Sequence, residues 1–362
     1  AGLSRLALNG ELLLDNWTNQ IHGDAYLGNG STEVTAPFPM TAGETYALQV
    51  EFSTQATQFS ALRLGCLPPQ PANSIQQAAK LAAQADVALL IVGTTDEWET
   101  EGADRRNMHL PGDQNELITQ VAAANSNTIV ILNTGSPVEM PWLSQVAAVV
   151  QVWFPGQEFG NALADVLFGD SNPSGKLPQT FPKRLEDNPA YINYPGENGQ
   201  VVYGEGIFVG YRYYDKKKIA PLFPFGHGLS YTTFTYSNLV LNATSYSPGD
   251  TIQVAVDVTN TGSRAGQEVV QVYVRDVQAS LARPEKELKA FAKVALVPGE
   301  KKTIHFTLDQ AALAYYDPAQ PGWVAEAGEF RVLIGSSSRD IRLSEPFTLT
   351  ATSVNKVGVQ PK

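Results

Sequence analysis

The chain has 362 residues, more than one small domain needs, and it is 43% hydrophobic and 17% charged, as a globular protein with real cores should be. Its net charge of -11, with Lys and Arg dispersed apart from Lys216–Lys218, argues against nucleic acid as a partner. No apolar run reaches the roughly 20 residues of a membrane-spanning helix, so no membrane partner is expected. Cys66 is the only cysteine, which excludes an intrachain disulfide and a cysteine metal site. It follows alternating apolar residues and is expected to be a small buried hydrophobe. His22, His109, His227 and His305 are far apart and show no metal-ligand spacing. The sequence opens on strand-like residues, without Met or a signal peptide, which suggests a processed or partial polypeptide.

Residues 1–66 read as all-β. Two strand-like runs, "SRLALN" and "GELLLDNW", meet at Asn9-Gly10, the strongest short hairpin signal. "PPQPAN" at 68–73 marks a stiff boundary. Beyond it, Ser74 and Gln77 fit a capping box opening the amphipathic run "SIQQAAKLAAQA". "DVALLIVG" at 86–93 is a continuous apolar run, suited to a parallel strand covered on both faces. A helix over "DQNELITQVAAAN", strands at 128–135 and 147–156, and a helix ending at Gly169 continue a βαβαβα rhythm. The fold class expected for 67–229 is therefore an α/β layer with a mainly parallel sheet, whose ligands bind beyond the carboxyl ends of strands. From 230 to 362, short alternating strands between turn signals predict a β-sandwich of immunoglobulin or fibronectin type.

The stretch "GTTDEWETEGADRRNMHLPGDQ" follows the first parallel strand and carries Glu97, Glu99 and Glu101 at alternate positions. Charged residues after a strand commonly form a solvated loop, which suits Glu97 and Glu99. A glycosidase, by contrast, needs one carboxyl group that donates a proton and a second carboxylate across the sugar ring. Burial or a neighbouring carboxylate raises a carboxyl pKa for that work.

"EWETEGADRRNMHLPGDQNELI" resembles the acid/base loop of glycoside hydrolase family 3. "NTGSPVEMPW", "VWFPGQEFGNALADVLFGDSNPSGKLPQTFP", "YGEGIFVGYRYYD" and "PLFPFGHGLSYTTF" resemble that family in its own order, from residue 68 to about 350. Residues 1–66 resemble the closing half of a PA14 module, which some members insert in the α/β sandwich. The resemblance implies a retaining β-glucosidase, with an E-G-x-D-R pattern at Glu101-Gly102-Ala103-Asp104-Arg105. It gives Glu101 the acid/base role, with Glu99 as runner-up, and places Trp98 as a sugar-stacking residue, a packed loop anchor being the equal alternative. Asp104 and Arg105 read as scaffolding, and Gly102 as a bend. The loop around His22–Ser31 would shape the aglycone side or stay a surface loop. "GYRYYD" is expected to pack between the α/β and sandwich domains, and Glu205 is a weaker acidic candidate.

By the same resemblance the nucleophile is an aspartate of an N-terminal TIM-like barrel, and no matching motif occurs in these residues. It is therefore expected outside this chain, on a barrel-containing fragment held through a large apolar interface. A β-glucoside or oligosaccharide is the expected substrate, with no cofactor or metal, and a homo-oligomer is left open. A β-xylosidase, another exo-β-glycosidase or a non-catalytic carbohydrate-binding assembly chain are the alternatives. The compartment stays open between periplasmic, secreted and cytoplasmic.

Overall fold

The structure, a computed structural model, describes residues 1–23, 25–54, 60–69, 71–101 and 104–356. The chain divides into two compact units, Ala1–Phe154 and Pro155–Lys362.

The first unit begins with the hairpin of β1 (Leu3–Leu8) and β2 (Glu11–Asn16). Asn9 and Gly10 both take positive φ, 52° and 84°, the left-handed pair that turns a two-residue hairpin with the twist of its strands. After the short helix α1 (Ala25–Gly28), β3 (Leu48–Ser53) pairs antiparallel with β1 to give the order β2-β1-β3. Leu48, Val50 and Phe52 on β3 remain exposed. Residues 60–69 form no strand, so the alternating pattern around Cys66 has no sheet face to bury. Cys66 is exposed, contrary to the expectation of a buried hydrophobe.

Helix α2 (Ser74–Ala82) then leads into β4 (Ala88–Gly93), α3 (Gln114–Ala124), β5 (Thr128–Asn133) and β6 (Ala148–Gln151). The expected capping box at Ser74 is not formed. Asn73 is the N-cap residue, and Gln77 Nε2 donates to its Oδ1 at 2.7 Å instead. The three strands make a parallel sheet in the order β4-β5-β6. Ala88 on β4 packs with Ala82 of α2 and Val121 of α3, so both helices cover the same side. The opposite side chains of β4 are open, Leu89 at 51% and Ile91 at 59% exposure. The run read as a strand covered on both faces is thus covered on one, because α2 and α3 share a face and β4 is a sheet edge.

The second unit starts with α4 (Phe159–Phe168), stopped at Gly169 in the left-handed conformation, φ 85°, as expected from its glycine. Helix α5 (Tyr211–Lys217) follows. The strands β7 (Phe234–Leu241), β8 (Ser245–Tyr246), β9 (Ile252–Asn260), β10 (Gly266–Asp276), β11 (Glu287–Leu296) and β12 (Lys301–Leu308) come next. They are completed by β13 (Tyr315–Asp317), β14 (Gly322–Ala325), β15 (Gly328–Gly335), β16 (Ile341–Leu349) and β17 (Ser353–Lys356). A sheet ordered β11-β10-β15-β16-β8 faces one ordered β12-β9-β7 across a shared core that includes Val256, Val272, Phe330 and Ile334, and β13-β14-β17 form a third sheet. The alternation read in the sequence is the inward and outward alternation of this sandwich.

Helix α5 is fastened to that sandwich. Leu288 N–H donates to Tyr211 Oη at 2.8 Å, the Tyr211 ring stacks on Phe225 at 5.1 Å, and Lys286 Nζ meets Asp215 at 2.5 Å. The aromatic run "GYRYYD" therefore packs, and Tyr211 and Tyr214 are buried. The sandwich also holds paired buried charges. Lys176 meets Glu268 at 3.0 Å, and Arg283 lies between Asp276 at 3.0 Å and Glu287 at 2.6 Å. Burial nevertheless pushes the Asp276 carboxyl up, against the pull of Arg283.

Candidate active site

The acid-rich loop leaves the carboxyl end of β4, where a parallel sheet presents its ligand-binding edge. Its base is tied to the sheet. Thr94 N–H donates to Asn133 O at 3.1 Å at the end of β5, and Gln114 bridges Gly93 with an amide on each side, at 2.7 and 2.9 Å. A turn follows in which Trp98 N–H and Glu99 N–H both donate to Thr95 O at 2.9 Å. At the far end of the loop, Glu139 N–H donates to Met108 O at 2.8 Å.

The carboxylates of this loop are not equivalent. Asp96 and Glu97 are both exposed and both paired with Arg63, Asp96 at 2.8 Å. Glu99 is sequestered, its side chain 13% exposed, with Thr94 Oγ1 donating to its Oε1 at 2.8 Å and Arg105 Nη1 at 3.2 Å. The reading of Glu97 and Glu99 as a solvated pair therefore holds in part for Glu97, which faces water but is paired, and fails for Glu99. The cause is Arg105, itself 14% exposed, whose other nitrogen Nη2 donates to Pro137 O at 2.7 Å. Glu101 is exposed and, among the described residues, has no hydrogen-bond or ion-pair partner. Gly102 and Ala103, the middle of the E-G-x-D-R pattern, lie outside the described residues, and Asp104 is exposed. Trp98 is 36% exposed.

Three loop ends meet at this edge. A Cβ placed on Gly135, in the loop after β5, would lie 2.6 Å from Glu99 Oε2 and 2.7 Å from Phe154 Cε2. Glycine is required there by space alone, since the carboxylate of one loop and the ring beyond β6 both close on its Cα. Phe154 is half exposed, and the preceding Trp153 takes a positive φ of 57°, a conformation rare for a bulky side chain. Sequence reasoning did not single out Arg63, Thr94, Gly135 or Phe154. The only available signal was the glycine closing the apolar run "TIVILNTG". Glu205 belongs to the second unit, where Asn193 Nδ2 donates to it at 3.3 Å. His109 is exposed, 3.6 Å from Glu139.

The loop at the end of this parallel strand thus carries one carboxylate, Glu101, that is exposed and without a partner among the described residues. Residues 5–211 match the glycosyl hydrolase family 3 C-terminal domain. The chain belongs to glycoside hydrolase family 3. Residues 268–338 match a fibronectin type III-like domain, which names the sandwich of the second unit. The thermostable β-glucosidase B of Acetivibrio thermocellus is 54% identical over 278 residues, 77% of this chain and 37% of that protein. A β-glucosidase of Rhizobium radiobacter is 46% identical over 353 residues, 95% of this chain and 43% of that protein. Among solved structures, a β-glucosidase from Kluyveromyces marxianus superposes with a TM-score of 0.91 at 43% identity, covering 98% of this chain and 43% of its own. The chain thus spans less than half the length of these relatives.

Proposed function

We propose that this chain is the acid/base-bearing part of a retaining β-glucosidase, with Glu101 as the proton donor. One observation carries the reading: of the carboxylates from Asp96 to Glu101, those at 96, 97 and 99 are held by arginine, and Glu101 alone is free among the described residues. A proton donor must reach substrate, and a carboxylate committed to a buried arginine cannot leave it cheaply. β-Glucosidase relatives at 46–54% identity support the substrate class. A region outside this chain would supply the aspartate nucleophile, as the family resemblance implies. Exposed Leu89 and Ile91 on β4 fit a partner surface of that kind. The chain's modules are read as a PA14-like closing half over 1–66, an α/β sandwich over 67–229 and a fibronectin-like sandwich over 230–362. The antiparallel sheet of β1 to β3, the parallel sheet and the closed sandwich support that division.

In the assembled enzyme, the aspartate attacks the anomeric carbon while the Glu101 carboxyl gives its proton to the departing glycosidic oxygen. The Glu101 carboxylate then takes a proton from water as that water cleaves the glycosyl-aspartate bond. The two carboxyl groups are expected about 5–5.5 Å apart. Trp98, which is partly exposed, is read as the stacking residue of the sugar site.

The test is Glu101→Ala in the chain assembled with its N-terminal region. On a β-glucoside with a poor leaving group, kcat/KM should fall by about 10²–10⁴. An activated aryl glucoside should lose far less, and azide should restore turnover. Equal activity of Glu101→Ala and wild type on both substrates would refute the assignment. The same assembly assayed on β-xylosides decides the sugar.

A further inference from the structure

We propose that Glu99 is a positioning residue for Glu101, acting through a clamp with Thr94 and Arg105 that closes the base of the acid loop; this rests on the acid/base reading of Glu101. Glu99 and Arg105 stand on either side of Glu101 in the chain and meet each other at 3.2 Å. The ends of that stretch are therefore stapled together, and Glu101, between them in the chain, is exposed. Both ends of the staple are fixed to the sheet. Thr94, which donates to Glu99 at 2.8 Å, is itself held by Asn133 O at the end of β5. Arg105 is held by Pro137 O in the loop after β5. The bare Cα of Gly135 provides the space into which the Glu99 carboxylate fits.

The chemistry of the clamp suits a rigid mount. A half-buried carboxylate that accepts from both a hydroxyl and a guanidinium is bound by charge-assisted hydrogen bonds, roughly twice as strong as neutral ones. The rest of the acidic loop is fixed differently, by exposed pairs to Arg63 that contribute little to rigidity. Glu99 thus sets where the loop leaves the sheet, and with it where the Glu101 carboxyl comes to rest. A displacement of about 1 Å in such a group costs on the order of 10²-fold in rate. Arg105 and Thr94 occupy the Oε1 of Glu99, and its Oε2 sits where a Cβ on residue 135 would intrude.

The test is a double-mutant cycle on the assembled enzyme, with Glu99→Gln made alone and in the Glu101→Ala background. Alone, Glu99→Gln should lower kcat/KM on a poor-leaving-group β-glucoside by about tenfold or more and on an activated aryl glucoside by less than about threefold. In the Glu101→Ala background it should add nothing. Thr94→Val, which removes one hydrogen bond and keeps the charge pair, should act in the same direction and more weakly. It carries the test if Glu99→Gln fails to fold. Hydrogen exchange should quicken over 94–106 and stay unchanged elsewhere. Equal loss on both substrates, or a loss that persists in the Glu101→Ala background, overturns the positioning role and leaves the acid assignment standing. A Glu101→Ala variant with no leaving-group discrimination removes both.

Discussion

The sandwich of the second unit and the parallel sheet of the first bury their strands in opposite ways. In the sandwich, β9, β10 and β15 place Val256, Val272 and Ile334 in a core closed by the facing sheet. In the first unit, β4 is a sheet edge with helices on one side only, and Leu89 and Ile91 face outward. Sheets of this parallel kind are normally covered on both faces. The sandwich closes its own core, while β4 leaves apolar side chains exposed.

This contrast can be broken or sharpened at three positions. The largest effect is expected at Phe330, fully buried and stacked on Phe347 at 5.5 Å. Phe330→Ala should destabilise the sandwich by about 3–5 kcal/mol, read as a lowered denaturation midpoint of the second unit.

An intermediate effect is expected at Asp257, buried on β9. Hydrogen bonds from Thr303, first, and then from Asn238 and Lys301 hold its carboxyl down to about 2. The folded value lies below the unfolded value of about 3.9, so the stabilisation is fully present above pH 4 and is lost as the pH falls toward 2. Asp257→Ala should cost about 1–3 kcal/mol at neutral pH, because it removes the hydrogen bonds that Thr303, Asn238 and Lys301 donate to the carboxylate. The variant should also show a flatter stability curve below pH 4, measured by denaturant titration. A wild-type curve that matches the variant's in that range would remove the carboxylate from the sandwich's account.

The smallest effect is expected on β4. Ile91→Ala should change the stability of the chain by no more than about 0.5 kcal/mol, while Ile91→Glu should weaken association with the N-terminal region proposed above. If Ile91→Ala destabilises the chain as strongly as Phe330→Ala, that face is already covered and the contrast between the units disappears.

Much of the fold was legible locally. Asn9-Gly10 names its own turn, because only residues tolerant of positive φ make it. Gly169 stops α4 for the same reason. The apolar runs at 86–93 and 128–135 become the parallel strands β4 and β5, since a continuous run of such residues has few other places to go. The misread positions depend on contacts that a residue pattern does not show. Cys66 sits in an alternating pattern that pairs with no strand among the described residues, so its burial could not be inferred from alternation. Asn73 captured the cap expected of Ser74 through a contact with Gln77 one turn on.

The loop shows the division most clearly. The sequence by itself determined that several carboxylates follow an apolar strand, that glycines punctuate the loop ends, and that the motifs stand in the family's order. Charge type and local periodicity are properties of neighbouring residues, and they survive without a fold. Which carboxylate is committed and which is free was decided only by tertiary structure. Arg105 and Thr94 reach Glu99 because the sheet fixes the ends of two loops side by side, and Arg63 reaches Asp96 and Glu97 from a segment far earlier in the chain. Ion pairing acts over a few ångströms in space, a distance that spacing along the sequence does not encode.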